Sequence, residues 1–370
     1  MPRVAFCFHH SQPSGATLWL KRLLVGGVAP IEAEAILPAE SSVAEELRGA
    51  GIAVHVLGLE ERAISEAGAV DAARLILNRV GVVSRYREIF RAGKFDVAYI
   101  NTSVNMAPLI AARRAGVRAL VHVHEIPTAA RAFAVKRMLI RRWADSCLFA
   151  SRRAMEVFGP RAPEGRRWEF SPNGVPAGPS ALAQKKDELR ATMGFARDEK
   201  IVLFAGNVSV PKGVHHLLQS WRQVCERIPR ARLLLAGPHH AEKSDPIIDD
   251  AVAGKIPRVE ALGFRNDVAE LMAAADLFVL PSLSEAMPLS VIEAMMVCTP
   301  VIATDVGDVA WLLGDGRGVV YGNEKELAGI LTAALEGGIA LEDMANKAQA
   351  FALRELTSER QKKQVMEMIG

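Results

Sequence analysis

The stretch Ala275-Asp276-Leu277-Phe278-Val279-Leu280-Pro281-Ser282-Leu283-Ser284-Glu285-Ala286-Met287-Pro288-Leu289-Ser290-Val291-Ile292-Glu293 decides the fold. Its first part, DLFVL at 276 to 280, is a short apolar run of strand character. Near Pro288 a helix starts, where a proline is tolerated because the amide it lacks would be unpaired at a helix start anyway. A strand that hands over through a short loop to a helix is the unit from which parallel sheets are built.

Outward from this stretch the same unit recurs. In the first half, strands are expected at 4 to 8, 34 to 37, 54 to 57, 96 to 100, 119 to 123 and 146 to 150. In the second half they are expected at 201 to 206, 232 to 237, 259 to 264, 276 to 280, 300 to 304 and 318 to 321. Longer amphipathic segments separate them, so the fold class is α/β, with two doubly wound Rossmann-like domains facing each other across a cleft. A chain of 370 residues, half of them apolar, has enough material for two such cores. The break is expected in SPNGVPAGPSALAQ (171 to 184), where Pro, Asn-Gly and Gly-Pro gather. That gives an N-terminal domain over 1 to 178, a C-terminal domain over 179 to 350 and a polar amphipathic helix over 351 to 370 that caps either one.

Charge is divided between the halves. Residues 1 to 178 hold 24 Lys and Arg against 16 Asp and Glu, and residues 179 to 370 hold 21 against 26. The four cysteines, Cys7, Cys147, Cys225 and Cys298, are far apart and match neither a zinc spacing nor a disulfide framework, which suits a reducing cytosol. Neither a signal-like segment nor an apolar run of membrane-spanning length is expected, and no metal, cofactor or nucleic-acid partner. No GxGxxG follows the first strand, which argues against a dinucleotide-dependent oxidoreductase.

In open α/β sheets ligands bind beyond the carboxyl ends of the strands, so the residues just after each strand are the informative ones. After the strand at 276 to 280, a helix beginning near Pro288 offers unpaired amides and a positive end that suit a phosphate. Glu293, on the first turns, can reach a hydroxyl pair beside that phosphate, and Glu285 a second hydroxylated group on its other side. Two acceptor-only carboxylates around an anion site fit a nucleotide sugar, whose hydroxyls are donors. An isolated glutamate pair is more often plain solvated surface; the surrounding sequence changes that balance.

The run LGFRNDVAELMAAADLFVLPSLSEAMPLSVIEAMMVCTPVIATDVGDV resembles, nearly end to end, the C-terminal signature of the family 4 retaining glycosyltransferases of the GT-B fold, including their Glu-x7-Glu motif. FAGNVSVPKGVHHLL, RLLLAGP and SPNGV resemble that family's segments in the same order, and the resemblance covers 168 to 322 most strongly. It implies that Glu293 holds the donor ribose and Glu285 the donor sugar, with the amides of Met287, Leu289 and Ser290 meeting sugar and diphosphate. It implies that Lys212 neutralises the diphosphate leaving group. Gly15 matches the glycine-rich loop after the first strand, and His124, ahead of Glu125, matches a histidine placed near the sugar's reactive carbon. Phe264 and Arg265 fall where the family loop passes the base, and Asn173 and Gly174 in the segment bordering the cleft.

Two departures stand out. Ala286 replaces the usual glycine, so a strained positive φ is expected there. Asn207 stands where the family has a phosphate-binding arginine.

The implied activity is retaining, metal-independent transfer of a sugar from a UDP- or GDP-sugar to a hydroxyl acceptor in envelope polysaccharide, glycolipid or glycoconjugate synthesis, lipid-linked acceptors included. An epimerase or phosphorylase on the same fold and a non-catalytic nucleotide-sugar-binding protein remain open alternatives. The basic, apolar segment RAFAVKRMLIRRWA (131 to 144) reads either as a peripheral contact with an anionic inner membrane face or as an ordinary crossover helix.

Overall fold

Every strand expected from the apolar runs forms; central strands such as Val97–Asn101 and Leu277–Leu280 are buried on both faces of a parallel sheet, while the edge strands Ala53–Val56 and Val259–Gly263 are only partly buried. The computed structural model describes residues 1–11, 15–27, 30–58, 69–104, 106–126, 130–159, 161–239 and 241–370, with the side chains of 69–80 and 130–132 outside that description.

The chain forms two units, one of Met1–Pro172 with Gln361–Gly370 and one of Asn173–Arg360. The division thus falls at Pro172 and Asn173 rather than after residue 178, at the proline of the expected linker. The terminal segment also differs from the single helix expected over 351 to 370. Two helices, Leu341–Glu355 and Ser358–Ile369, meet at a break where Thr357 pairs with Val175. The Val175 amide donates to Leu356 O and the Ser358 amide to Val175 O, both at 2.9 Å, and these backbone bonds hold the break.

The first sheet contains β1 (Arg3–Cys7), β2 (Glu32–Leu37), β3 (Ala53–Val56), β4 (Val97–Asn101), β5 (Arg118–Val123), β6 (Ser146–Phe149) and β7 (Arg167–Phe170). Their order is β3-β2-β1-β4-β5-β6-β7, and every pairing is parallel. The seventh strand escaped the sequence reading because RWEF is four residues long, with charged and apolar residues alternating. At the sheet edge it needs only one buried face. The last helix belongs to this unit, where Val365, Met368 and Ile369 join the core formed by Val4, Phe6, Trp19, Leu20 and Tyr99.

The second sheet contains β8 (Lys200–Ala205), β9 (Ala231–Ala236), β10 (Val259–Gly263), β11 (Leu277–Leu280), β12 (Val301–Thr304) and β13 (Val319–Tyr321). Its order is β10-β9-β8-β11-β12-β13, again all parallel. Strand order reverses between β8 and β11. At such a switch point the loops leaving two adjacent strands diverge to opposite faces and open a crevice.

Candidate functional site

The loops that leave β8 and β11 carry the charged residues singled out by sequence. After β8 the chain makes a single 3-10 turn, Val210–Lys212, and enters the helix Val214–Arg227 through Gly213. Gly213 has φ 68°, and a Cβ there would stand 1.8 Å from the carbonyl oxygen of Pro281, so only glycine lets the two loops touch. The Leu283 amide donates to Pro211 O at 3.1 Å and ties them a second time.

This apposition brings Lys212 to Glu285. Lys212 Nζ lies 2.6 Å from Glu285 Oε1, and the buried Ser282 hydroxyl donates to the same oxygen at 2.9 Å. Ser282 is anchored in turn, since Thr304 Oγ1 donates to its carbonyl at 2.6 Å. No hydrogen bond to Glu285 Oε2 is found among the described residues. The glutamate side chain is 13% exposed and the lysine 32%, so water reaches the pair from one side.

Beyond Glu285, the helix Leu289–Met296 begins at Pro288, which has φ −71° and ψ 119° and provides no side-chain cap. Its first turn therefore takes no side-chain acceptor from the cap residue, which suits an anion site. Glu293 lies on this helix and is half-buried. Met287 is buried. Its carbonyl accepts Asn173 Nδ2 at 3.0 Å, so the Asn-Gly of the SPNGV segment holds this loop in place.

The strain expected at Ala286 is absent, because this residue does not have positive φ. The demand for glycine falls on the facing strand's loop instead. Gly307 has φ 55°, and a Cβ there would come within 2.3 Å of the carbonyl oxygens of both Glu285 and Ala286. The Asp308 amide donates to Ala286 O at 2.9 Å.

Lys212, Glu285, Ser282 and the helix start are thus brought together. Asn207 is exposed in the same β8 loop, its carbonyl accepting the Ser209 hydroxyl at 3.3 Å. Phe264 is exposed, and Arg265 is gripped by Asp267, with Nε and Nη2 at 2.8 and 2.5 Å from its two carboxylate oxygens.

In the first unit, Gly15 is exposed at the start of the helix Gly15–Val25, and its neighbour Ser14 lies outside the described residues. Trp19 of that helix packs edge-on against His122, with ring centroids 4.9 Å apart, and lies 5.5 Å from His124. His122 is fully buried, shares a hydrogen bond with the Tyr99 hydroxyl, and its ring lies 3.9 Å from the His124 ring, tilted by 39°. Burial, aided by His124, pushes the His122 pKa far below the usual imidazole range, so this ring is neutral. His122 is a core residue and His124 is the half-buried one of the pair.

Glu125 is a clamp. One oxygen accepts the Ser103 amide at 2.7 Å together with the Ser103 hydroxyl, and the other accepts the His124 amide at 3.1 Å. Burial raises its pKa, and these bonds only partly offset the rise. Sequence reasoning missed Trp19, Tyr99, Ser103 and Gln361, whose side chain accepts the Trp19 indole N–H. Only tertiary structure joins them.

A groove of about 840 Å³ in the same unit is lined by Phe133, Arg137, Met138, Arg141, Arg142 and Arg166. It runs along the helix Ala130–Trp143, on which Val135 and Met138 are exposed; the Arg131 side chain lies outside the described residues.

Residues 185–351 match the family described as Glycosyl transferases group 1. The putative teichuronic acid biosynthesis glycosyltransferase TuaC of Bacillus subtilis (strain 168) is 34% identical over 131 residues, which are 35% of this chain and 31% of that protein. The phosphatidyl-myo-inositol mannosyltransferase of Mycobacterium leprae (strain TN) is 27% identical over 328 residues, 81% of this chain and 83% of that one. In its matches with TuaC and with an uncharacterised glycosyltransferase of Methanocaldococcus jannaschii, the chain spans about a third of the relative's length. Among solved structures, Anabaena HepE in complex with UDP and glucose superposes with a TM-score of 0.79 at 22% identity, covering 100% of this chain and 99% of that one. At that identity the likeness is one of fold, and the fold is that of the GT-B glycosyltransferases.

Proposed function

We propose that the protein is a retaining glycosyltransferase of family 4 that moves a sugar from a UDP- or GDP-sugar to a hydroxyl acceptor. The observation that carries this reading is the convergence, at the β8/β11 switch point, of Lys212, a glutamate with one oxygen uncommitted among the described residues and a helix start without a side-chain cap that bears a second glutamate. Each part answers one part of a nucleotide sugar. The helix amides and Lys212 take the diphosphate, Glu285 Oε2 takes sugar hydroxyls, and Glu293 takes the ribose.

In the reaction, the bond between the anomeric carbon and the diphosphate oxygen breaks as the acceptor oxygen attacks from the same face. The acceptor proton passes to a diphosphate oxygen, so no protein carboxylate acts as nucleophile, unlike the paired acids of retaining glycosidases. Charge that gathers on the leaving group is offset by Lys212 and the helix start, the work a metal does in other transferases. His124 remains the first unit's candidate catalytic residue. The names of the relatives support an acceptor in envelope polysaccharide or glycolipid synthesis.

Peripheral membrane contact through 131 to 144 belongs to the same proposal, supported by the arginine-lined groove and the exposed Val135 and Met138. Co-sedimentation with anionic vesicles, and none with neutral ones, is the expected result; equal recovery from both removes this part.

The test of the whole reading is thermal shift with UDP-, GDP- and ADP-sugars, followed by nucleotide release with the best binder. Stabilisation by one donor class and release that rises with an added hydroxyl acceptor are expected. Release that ignores acceptors favours an epimerase or phosphorylase, and binding without turnover favours a non-catalytic partner.

A further inference from the structure

Lys212, the cation proposed to meet the diphosphate, already has an anion on it. Glu285 Oε1 stands 2.6 Å from Lys212 Nζ, and the pair is built rather than incidental. Ser282 fixes the same oxygen at 2.9 Å and is itself fully buried and tied to Thr304. The backbones beneath are locked at Gly213 against Pro281, at Leu283 to Pro211, and at Gly307 against Glu285. Little freedom remains for Glu285 to withdraw when a ligand arrives.

A diphosphate drawn to Lys212 must therefore settle beside a fixed carboxylate. Like charges at such range oppose binding, and the partly water-excluded setting strengthens the opposition. An intact nucleotide sugar escapes the penalty, because its sugar hydroxyls can donate to Glu285 Oε2, the oxygen with no hydrogen bond among the described residues. A bare nucleoside diphosphate has nothing to offer that oxygen.

Resting on the donor assignment above, we propose that Glu285, positioned by Ser282, is a built-in counter-anion to Lys212 that makes the site discriminate the sugar-bearing nucleotide from the nucleoside diphosphate left after transfer. Once the sugar has gone, Glu285, still held at Lys212, opposes retention of the product. Ser282 acts through Glu285, as a positioning residue, and Glu285 itself sets the specificity.

Calorimetric titration of the full chain with UDP and with UDP-glucose separates the outcomes. Wild type should bind UDP-glucose more tightly than UDP. Glu285→Gln, which keeps the hydrogen bonds and removes the charge, should bind UDP about tenfold more tightly than wild type, a coupling of ordinary size for residues in contact. The same substitution should leave UDP-glucose no better bound. In a Lys212→Ala background the gain for UDP should remain, because the repulsion is between Glu285 and the phosphates, while its size should fall, because Lys212 no longer draws the two anions together. Ser282→Ala, which frees Glu285 to move, should give a smaller gain in UDP affinity of about twofold. If Glu285→Gln binds UDP no more tightly than wild type while both proteins still bind it, the counter-anion is overturned and the donor assignment stands. If neither protein binds UDP, UDP-glucose, GDP or a GDP-sugar, both fall together.

Discussion

Two carboxylates stand at the opposite ends of β11, and they lead different lives. Asp276, just before the strand, is saturated: Lys186 Nζ meets one oxygen at 3.0 Å, and Arg190 Nη1 and the Ile201 amide meet the other at 3.0 and 2.8 Å. Glu285, just beyond the strand, has its two hydrogen-bond partners among the described residues on a single oxygen. The first carboxylate fastens the start of the sheet to the segment that leads into it. The second keeps acceptor capacity in reserve, at the end of the sheet where ligands bind. A charged group whose bonds are all used is architecture, whereas one left half-used beside a cation is available to a ligand.

The largest effect that would break this comparison concerns Asp276. Arg190 is buried, so Asp276→Ala leaves a guanidinium in the interior with, among the described residues, only carbonyl partners, at a cost of about 3 kcal/mol. Chemical denaturation should show that loss, while calorimetry should show unchanged affinity for UDP. A loss of UDP affinity in a protein of normal stability would erase the distinction between the two ends of β11.

The same residue sets a pH dependence. Burial alone would raise the Asp276 pKa, but Lys186, the Ile201 amide and Arg190 outweigh it and hold the carboxyl below its ordinary value. A depressed folded pKa adds stability above the unfolded carboxylate value, and that stability is lost as pH falls through the folded one. Unfolding midpoints measured downward from about pH 4 should therefore fall more steeply for wild type than for Asp276→Asn. Parallel curves would show that the cluster contributes nothing to acid sensitivity.

Glu293 offers a smaller effect that sharpens the contrast with Glu285. If it holds the ribose, Glu293→Gln should weaken UDP by about tenfold, since a charge-assisted bond to a hydroxyl becomes a neutral one. Glu285→Gln should move UDP affinity the other way and lower turnover. Substitutions of the same chemistry with opposite signs on one ligand are hard to obtain from general damage to the loop. Equal effects of the two on UDP would remove their separate roles.

Much of the architecture was legible because apolar runs bounded by turn residues specify parallel strands without further help. RWEF at 167 to 170 was not, since an edge strand with one buried face carries too weak an apolar signal. Lys212, Glu285 and Glu293 were legible as members of an ordered set of local segments. Their relation was not, because the bond between Lys212 and Glu285 depends on strand order, and Ser282 gains its role only from the folded loop. The expected strain at Ala286 failed for a similar reason: the tight approach occurs there, but Gly307 of the opposing loop accommodates it. Asp276 had no signal at all, as Lys186 and Arg190 reach it from a remote part of the chain.

The most direct test of the account is the turnover of Lys212→Ala with saturating donor. If the diphosphate sits in the β8/β11 site as proposed, Lys212 supplies a full positive charge to the leaving group, whereas a helix start adds only about half an elementary charge. Loss of such a preorganised group costs on the order of 3 kcal/mol in the transition state, so the nucleotide-release rate should fall about a hundredfold. A wild-type rate in Lys212→Ala would place the diphosphate elsewhere and contradict the assignment of this loop as the site of glycosyl transfer.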